Sequence, residues 1–242
     1  MSQARKMAAS SLYILSFNLA GGTLFLHHLL SSEKPDILLV QEVLLSTEEL
    51  KIKVQQYGYQ CESNIDILNP TKPGTAVIWK DSVQVTDTNV IVECQLQSLS
   101  VGVVNILNIY APSGSARRRE REHLFANDMF QQLASAGEAS LPWLAGDWNC
   151  LVEENQTTDR YRKKHSPVLS DLLRSFRYCD VFSQLHPGSQ EFTFPRAGKA
   201  QSRLDRVQAR LLHPQHLDGI WIGQDQYRLP LAPLNEFPEP WC

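Results

Sequence analysis

Paired cysteines are the first thing missing. Five cysteines occur in 242 residues (Cys61, Cys94, Cys150, Cys179 and Cys242), an odd number, and no two stand in a CxxC arrangement. That excludes a zinc knuckle or a disulfide framework as the organising device and fits a reducing compartment, nucleus or cytoplasm. The thiols read as scattered small core residues. Internal repeats, low-complexity tracts and linker-like windows rich in Pro, Gly and Ser are missing too. With 43% hydrophobic residues and a mean hydropathy of -0.27, the chain reads as one large α/β domain rather than a disordered or modular protein.

A long apolar run is also absent. Residues 12–30 come nearest, behind Arg5 and Lys6, yet Asn18, Gly21, Gly22 and the pair His27–His28 interrupt them. The stretch is too polar to span a bilayer, and its alternation over 11–17 is that of a buried strand, not of a signal peptide. No membrane partner and no oligomer are expected; the chain reads as a monomer. Net positive charge is lacking as well: the balance is -3. Its distribution says more than its sum. Residues 1–110 carry 7 Lys+Arg against 10 Asp+Glu, whereas 111–242 carry 16 of each. Basic residues bunch at 117–121, at 160–165 and from Arg196 to Arg210. Such clusters on an acidic body suit a polyanion met at a metal-holding face, although the first fits a solvated helix face equally well.

What is present is a series of short Val/Ile/Leu-rich runs that predict strands at 12–17, 37–40, 76–79, 83–92, 101–109 and 141–145. Helical patterns fall at 24–31, ended by Lys34-Pro35; at 47–56 with Ser46 as N-cap; at 115–136; and at 167–176, where Pro167 follows a Ser166 cap. A central run of strands between helical segments predicts two packed sheets with helices outside.

Polar residues gather where these strands end: Ser16-Phe17-Asn18, Gln41-Glu42, Asn108-Ile109-Tyr110-Ala111-Pro112 and Gly146-Asp147-Trp148-Asn149, with Ser202-Arg203-Leu204-Asp205-Arg206 in the last third. Carboxylates and amides at one site suit a hard cation such as Mg²⁺, which takes oxygen ligands and keeps several waters. In an extended turn Asp147 and Asn149 point the same way, one to deprotonate a water, the other to hold a phosphate oxygen or the metal.

Those five motifs, in that order, resemble the endonuclease/exonuclease/phosphatase superfamily, most of all the apurinic-type endonuclease domains of LINE-like retrotransposons and the exonuclease III group. The likeness covers roughly residues 10–222 and implies a four-layer α/β sandwich, two mixed β-sheets flanked by helices as in DNase I-like folds. It divides the chain into a tail at 1–10, the domain at 11–222 and a divergent tail at 223–242. It further implies Asn18 and Glu42 as ligands of Mg²⁺ (or Mn²⁺), with Asp147 and Asn149 beside them. Tyr110 would touch the scissile phosphate, and Asp147 would activate the attacking water. Thr193 would offer a phosphate-contacting hydroxyl, and Asp205 would orient the rest. Arg203 and Arg206 would either meet substrate phosphates or pair with Asp205. The implied substrate is a nucleic acid, DNA first, in repair-type or target-nicking chemistry.

Two departures stand out. Ala20 occupies a position that is acidic in some members, which shifts weight in the metal shell onto Glu42. The Ser-Asp-His that normally closes the family's site occurs nowhere in the chain; residues 222–230 read Ile-Gly-Gln-Asp-Gln-Tyr-Arg-Leu-Pro instead. Asp225-Gln226 reads either as a degraded copy or as unrelated sequence from an altered frame. His186, His213 and His216 are poor replacements. Two functional readings therefore stand side by side: a metal-dependent nuclease, and an inactive relic that binds nucleic acid or does nothing.

Overall fold

The predicted strands assemble into two sheets packed face to face. A computed structural model describes residues 12–69, 71–153, 165–189, 192–193, 203–210 and 220–222. Outside the described residues lie the tail at 1–10, the basic residues 160–164, Arg196, Ser202, His213, His216 and everything from Gly223 onward, Cys242 and the Asp225-Gln226 pair included.

The first sheet has the order β11-β1-β2-β4-β3, from Ile14–Asn18 (β1), Ile37–Val43 (β2), Tyr59–Asn64 (β3), Gly74–Lys80 (β4) and Ile220–Ile222 (β11). The second has the order β5-β6-β7-β8-β10-β9, from Asp87–Val92 (β5), Leu96–Val101 (β6), Val104–Tyr110 (β7), Trp143–Asp147 (β8), Cys179–Asp180 (β9) and Asp205–Ala209 (β10). Both sheets are mixed: β1 runs parallel to β2 and β11, and β7 parallel to β8, while the remaining pairs are antiparallel.

Helices cover the outer faces. Thr23–His28 (α1) runs on as a π-helical turn, Leu29–Glu33, and Thr47–Gln55 (α2) follows; together they seal Leu15, Leu38, Val40 and Ile78. α2 starts at a full capping box between Ser46 and Glu49. On the other side Arg118–His123 (α3), a π-helical stretch Leu124–Met129, Phe130–Ser135 (α4) and Pro167–Ser175 (α5) bury Leu107, Ile109 and Leu144. The side chain of Ser166 caps α5 by accepting the Leu169 N–H. A short α6, Val181–Leu185, leads toward β10. No helix among the described residues is long and apolar enough to cross a membrane.

Several boundaries differ from the sequence pattern, each for a physical reason. The apolar run 101–109 is not one strand. Gly102 adopts φ +58 and turns the chain, so Val101 pairs with Val104 in a hairpin. In 83–92 only Asp87–Val92 is a strand; Val83 and Val85 sit in turns and pack on the inter-sheet core. The helix predicted at 115–136 begins at Arg118 and is interrupted by the π-helical stretch, which leaves Phe130 half exposed against Phe176. The strands β3 and β10 escape an apolar-run criterion. β3 alternates Tyr59 and Cys61 inward with polar Gln60 and Glu62 outward. β10 reads Asp-Arg-Val-Gln-Ala, yet every residue is buried because partners flank it on both sides.

The inter-sheet core explains where chemistry can occur. It is apolar at one end, with Ile14, Ile37, Leu39, Trp79, Ile106, Trp143, Ala145 and Val207. Because side chains alternate along a strand, each inward-facing row can be followed toward the other end. There it turns polar: Ile14–Ser16–Asn18, Leu39–Gln41, Ile106–Asn108–Tyr110, Ala145–Asp147 and, running the opposite way, Val207–Asp205. One polar layer is sealed. Asn108 donates to the Val40 and Ala76 carbonyls and accepts from Gln41 Nε2 at 2.7 Å, and Gln41 also donates to Ser16 Oγ at 3.2 Å. Both amides are fully buried and tie one sheet to the other. The next layer outward is open.

Candidate active site

The outer polar layer consists of the residues that end the strands. Register sets their neighbours: Asn18 lies beside Gln41, Tyr110 beside Asp147, and Asp147 beside Asp205. Glu42 needs a special device, because regular alternation after Gln41 would send it to the outer face. A bulge between Gln41 and Val43, with Glu42 at φ +55, turns it toward Tyr110 instead. Asn149 likewise sits at φ +49, folding it back over Asp147. Gly146 permits the approach of β8 to β7: at φ +140, an added Cβ would lie 2.0 Å from the Ile109 carbonyl oxygen.

Asp147 is the centre. Asn18 Nδ2 donates to its Oδ2 at 2.9 Å, Asn149 Nδ2 to the same oxygen at 3.2 Å, and the Asn149 N–H to Oδ1 at 2.9 Å. Those donors favour the carboxylate, but burial outweighs them, and Glu42 adds like-charge repulsion; the Asp147 carboxyl is pushed up to about 6. A carboxylate poised there and held by three donors has the properties of a general base near neutral pH.

The Tyr110 hydroxyl donates to Glu42 Oε1 at 3.3 Å. Burial, then Glu42 and Asp147, push its pKa up, so the phenol stays a proton donor. The side-chain N–H groups of Asn149 are used on the Ala111 carbonyl at 2.9 Å and on Asp147, so its oxygen is what it can offer to a cation. Asn18 Oδ1 accepts the Ala20 N–H at 2.8 Å and keeps a second lone pair. Asp205, fully buried, is pushed well up by burial and then by Asp147.

Asn18, Glu42, Tyr110, Asp147, Asn149 and Asp205 thus share one site. Thr193 lies beside it as a brace: its Oγ1 accepts the N–H groups of Leu204 and Asp205 at 2.9 and 3.0 Å. Arg203 is buried, paired with Asp180 and stacked 4.5 Å over the Phe182 ring. Arg206 is interior too, donating to the Cys150 and Arg203 carbonyls. Trp148 is core, its indole N–H reaching the Arg206 carbonyl at 3.3 Å. His186 stacks on Phe182, away from the cluster.

The first basic cluster divides. Arg121 is buried and holds the Pro112 and Gly114 carbonyls, fixing the chain that leaves Tyr110. Arg118 reaches Glu122, while Arg119 is exposed. Arg117 pairs with Glu120 and also acts electrostatically on Tyr110, which brings a guanidinium to the rim of the site. A run of like charges does not reveal which member turns inward. The signal for Arg121 was its helical spacing, three and four residues before Leu124 and Phe125. Glu42 and Tyr110 belong to motifs that the sequence displays, whereas the bulge joining them has no marker.

The sequence matches the model of the endonuclease/exonuclease/phosphatase family over residues 15–222. The chain belongs to that family. Within it, solved structures share this fold at low identity. A 3′ phosphatase, NExo, from Neisseria, bound to a product DNA hairpin, superposes with a TM-score of 0.68 at 18% identity, covering 83% of this chain and 87% of that one. An AP endonuclease from Archaeoglobus fulgidus gives 0.66 at 15% identity, over 81% and 84%. The 149 kDa protein of transposon TX1 from Xenopus laevis is 28% identical over 148 residues, 57% of this chain and 11% of that protein. The chain therefore spans only a small part of that relative's length.

Proposed function

We propose that this chain hydrolyses phosphodiester bonds of nucleic acid, DNA in the first instance, as a Mg²⁺-dependent endonuclease of the apurinic or target-nicking kind. The observation that carries the reading is the Asp147 carboxylate, buried, held by Asn18 and Asn149, and flanked by the Tyr110 hydroxyl. Asp147 takes the proton of a water as that water attacks phosphorus; the P–O bond to the leaving sugar oxygen breaks, and that oxygen takes a proton from solvent. Tyr110 offers its O–H to a non-bridging oxygen, where negative charge grows.

The residues present fit a divalent cation. Burial raises the carboxyls of Asp147 and Asp205; beneath that, Glu42 raises Asp147, and Asp147 and Glu42 raise Asp205, which is the electrostatics of a site suited to a compensating positive charge. Among the described residues no three His, Cys, Asp or Glu side chains converge into an all-protein cage. Mg²⁺ needs none, since it binds through one or two carboxylates and keeps its waters. Glu42, Asp147 and the oxygens of Asn18 and Asn149 would hold it, and Mn²⁺ has the same ligand preference. Bound there, it supplies Lewis-acid stabilisation of phosphate charge.

Nucleic acid is favoured as substrate by Arg117 on the rim, by the DNA in the Neisseria structure and by the transposon relative. The absence of Ser-Asp-His favours the second reading, an inactive domain that still binds nucleic acid. Nicking of supercoiled plasmid in Mg²⁺ separates the two. The native chain should nick, and Asp147→Ala should lower the rate by about 10²–10⁴-fold, the usual contribution of a general base. Equal background from both proteins would leave the inactive reading standing.

A further inference from the structure

Beside the strand-end cluster lies an apolar surface that the fold does not use. α1 buries Leu26 and hands over to buried Leu29 and Leu30, yet Leu24 and Phe25 in the same segment are 78% and 52% exposed. Leu44, two residues after Glu42, is 48% exposed. Leu44 and Phe25 close over Gly21-Gly22, and Leu24 precedes Phe25 on the same exposed turn. A Cβ on Gly21 would stand 2.7 Å from Leu44 Cδ1, and one on Gly22 would stand 3.0 Å from Phe25 Cδ2. The patch is fixed in place: Gly21 N–H bonds the Glu42 carbonyl at 3.1 Å, Gly22 N–H bonds the Leu19 carbonyl at 2.7 Å, and the Phe25 ring rests 5.7 Å from that of Phe17. An outward helix face normally carries polar residues, and a contiguous exposed apolar patch beside a reactive site marks contact with a ligand.

The chemistry of that ligand follows from position. Leu44 stands two residues after Glu42, and the Gly21 N–H bonds the Glu42 carbonyl, so the patch lies next to the cluster, within reach of a group bonded to a phosphate held there. It carries no charge and cannot hold a second phosphate. Its single aromatic ring and two leucines suit a flat apolar face, and the paired glycines let Leu44 and Phe25 settle close on the backbone. We propose that Leu24, Phe25 and Leu44 form a platform for the face of an unstacked nucleobase next to the reacting phosphate. This rests on the nucleic-acid reading above and sharpens it: bases inside a regular duplex have both faces covered, so the platform selects strands that are single, frayed or distorted.

The test is binding by fluorescence anisotropy in Mg²⁺, with every variant made in an Asp147→Ala background so that the strand stays intact. Phe25→Ala should weaken binding of a short oligothymidylate about tenfold, the range of one base–aromatic stack, and binding of a blunt duplex less than twofold. The loss should be equal at low and high salt, since no phosphate contact is removed. Phe25→Trp should keep the affinity, and its fluorescence should be quenched by the oligonucleotide; it decides the matter if the alanine variant does not fold. Val103→Ser, in the exposed β6–β7 turn at the opposite edge of the sheets, should change nothing.

Unchanged oligothymidylate binding by Phe25→Ala, together with an unquenched tryptophan, overturns the platform while leaving the nucleic-acid reading intact. Failure of the parent to bind either oligonucleotide overturns both. Binding to phosphatidylcholine/phosphatidylserine vesicles that Phe25→Ala abolishes, with oligonucleotide binding untouched, assigns the patch to a lipid surface and rejects the proposal.

Discussion

Two polar layers lie one above the other between the sheets, an inner one of amides and a hydroxyl and an outer one with carboxylates and a phenol, and they behave differently. In the inner layer Ser16, Gln41 and Asn108 are sealed and bonded chiefly to one another and to backbone carbonyls. In the outer layer Asn18, Glu42, Tyr110 and Asp147 are linked to each other but keep lone pairs and a hydroxyl to offer. A displacement of two residues along a strand separates an amide that holds the sheets together from one that can bind a substrate. The difference lies in what each layer has left to offer. An amide such as Asn108, bonded to the Val40 and Ala76 carbonyls and to Gln41 between the sheets, contributes to stability.

The comparison breaks most severely at Gly146, which supports both layers by letting β8 lie against β7. Gly146→Ala should destabilise the fold by about 4 kcal/mol or more, since φ +140 is foreign to alanine and the obstructing atom is backbone. Chemical denaturation reads this directly; a native-like midpoint would mean that the strand separation is softer than it looks. Tyr110→Phe tests the outer layer alone. Hydrolysis should fall by about 10²–10³-fold, as when one charge-stabilising donor is removed, while the denaturation midpoint stays nearly constant. The inner layer should answer the opposite way. Asn108→Leu strips partners from two carbonyls and from Gln41 and should lower stability by about 3 kcal/mol. Below the melting range its residual cleavage rate should match the parent's.

Much of this was legible in the sequence, and the exceptions are instructive. Asn18, Glu42, Tyr110, Asp147 and Asn149 stand out because polar residues at the ends of apolar runs conflict with burial. Gln41 and Asn108 belong to the same motifs, but nothing in the letters separates the sealed layer from the open one. That depends on how the sheets stack. The bulge at Glu42 is equally silent, since φ +55 at a glutamate has no residue signature. Arg203 and Arg206 resembled a basic face because β10 and the residues before it are mostly polar. With β8 and β9 on its flanks, β10 is interior, and its Arg206 bonds to carbonyls, while Arg203, just before it, pairs with Asp180.

The subtlest difference between the layers is electrostatic, and pH exposes it. The inner layer holds no ionisable group, so its contribution is flat. The Asp147 carboxyl is raised from 3.8 to about 6 in the fold, chiefly by burial. Between those values the native state binds more protons than the unfolded chain. The stabilising share is therefore complete below about pH 4 and lost as pH rises through 6. A shift of that size corresponds to about 3 kcal/mol, and Asp205 is displaced in the same direction. Without divalent cations, stability should decline from pH 4 to 7. Saturating Mg²⁺ should flatten the decline, because a cation favours the ionised carboxylates. A Mg²⁺-independent profile would remove the metal from the outer layer, and Asp147→Asn should abolish most of the slope in either case.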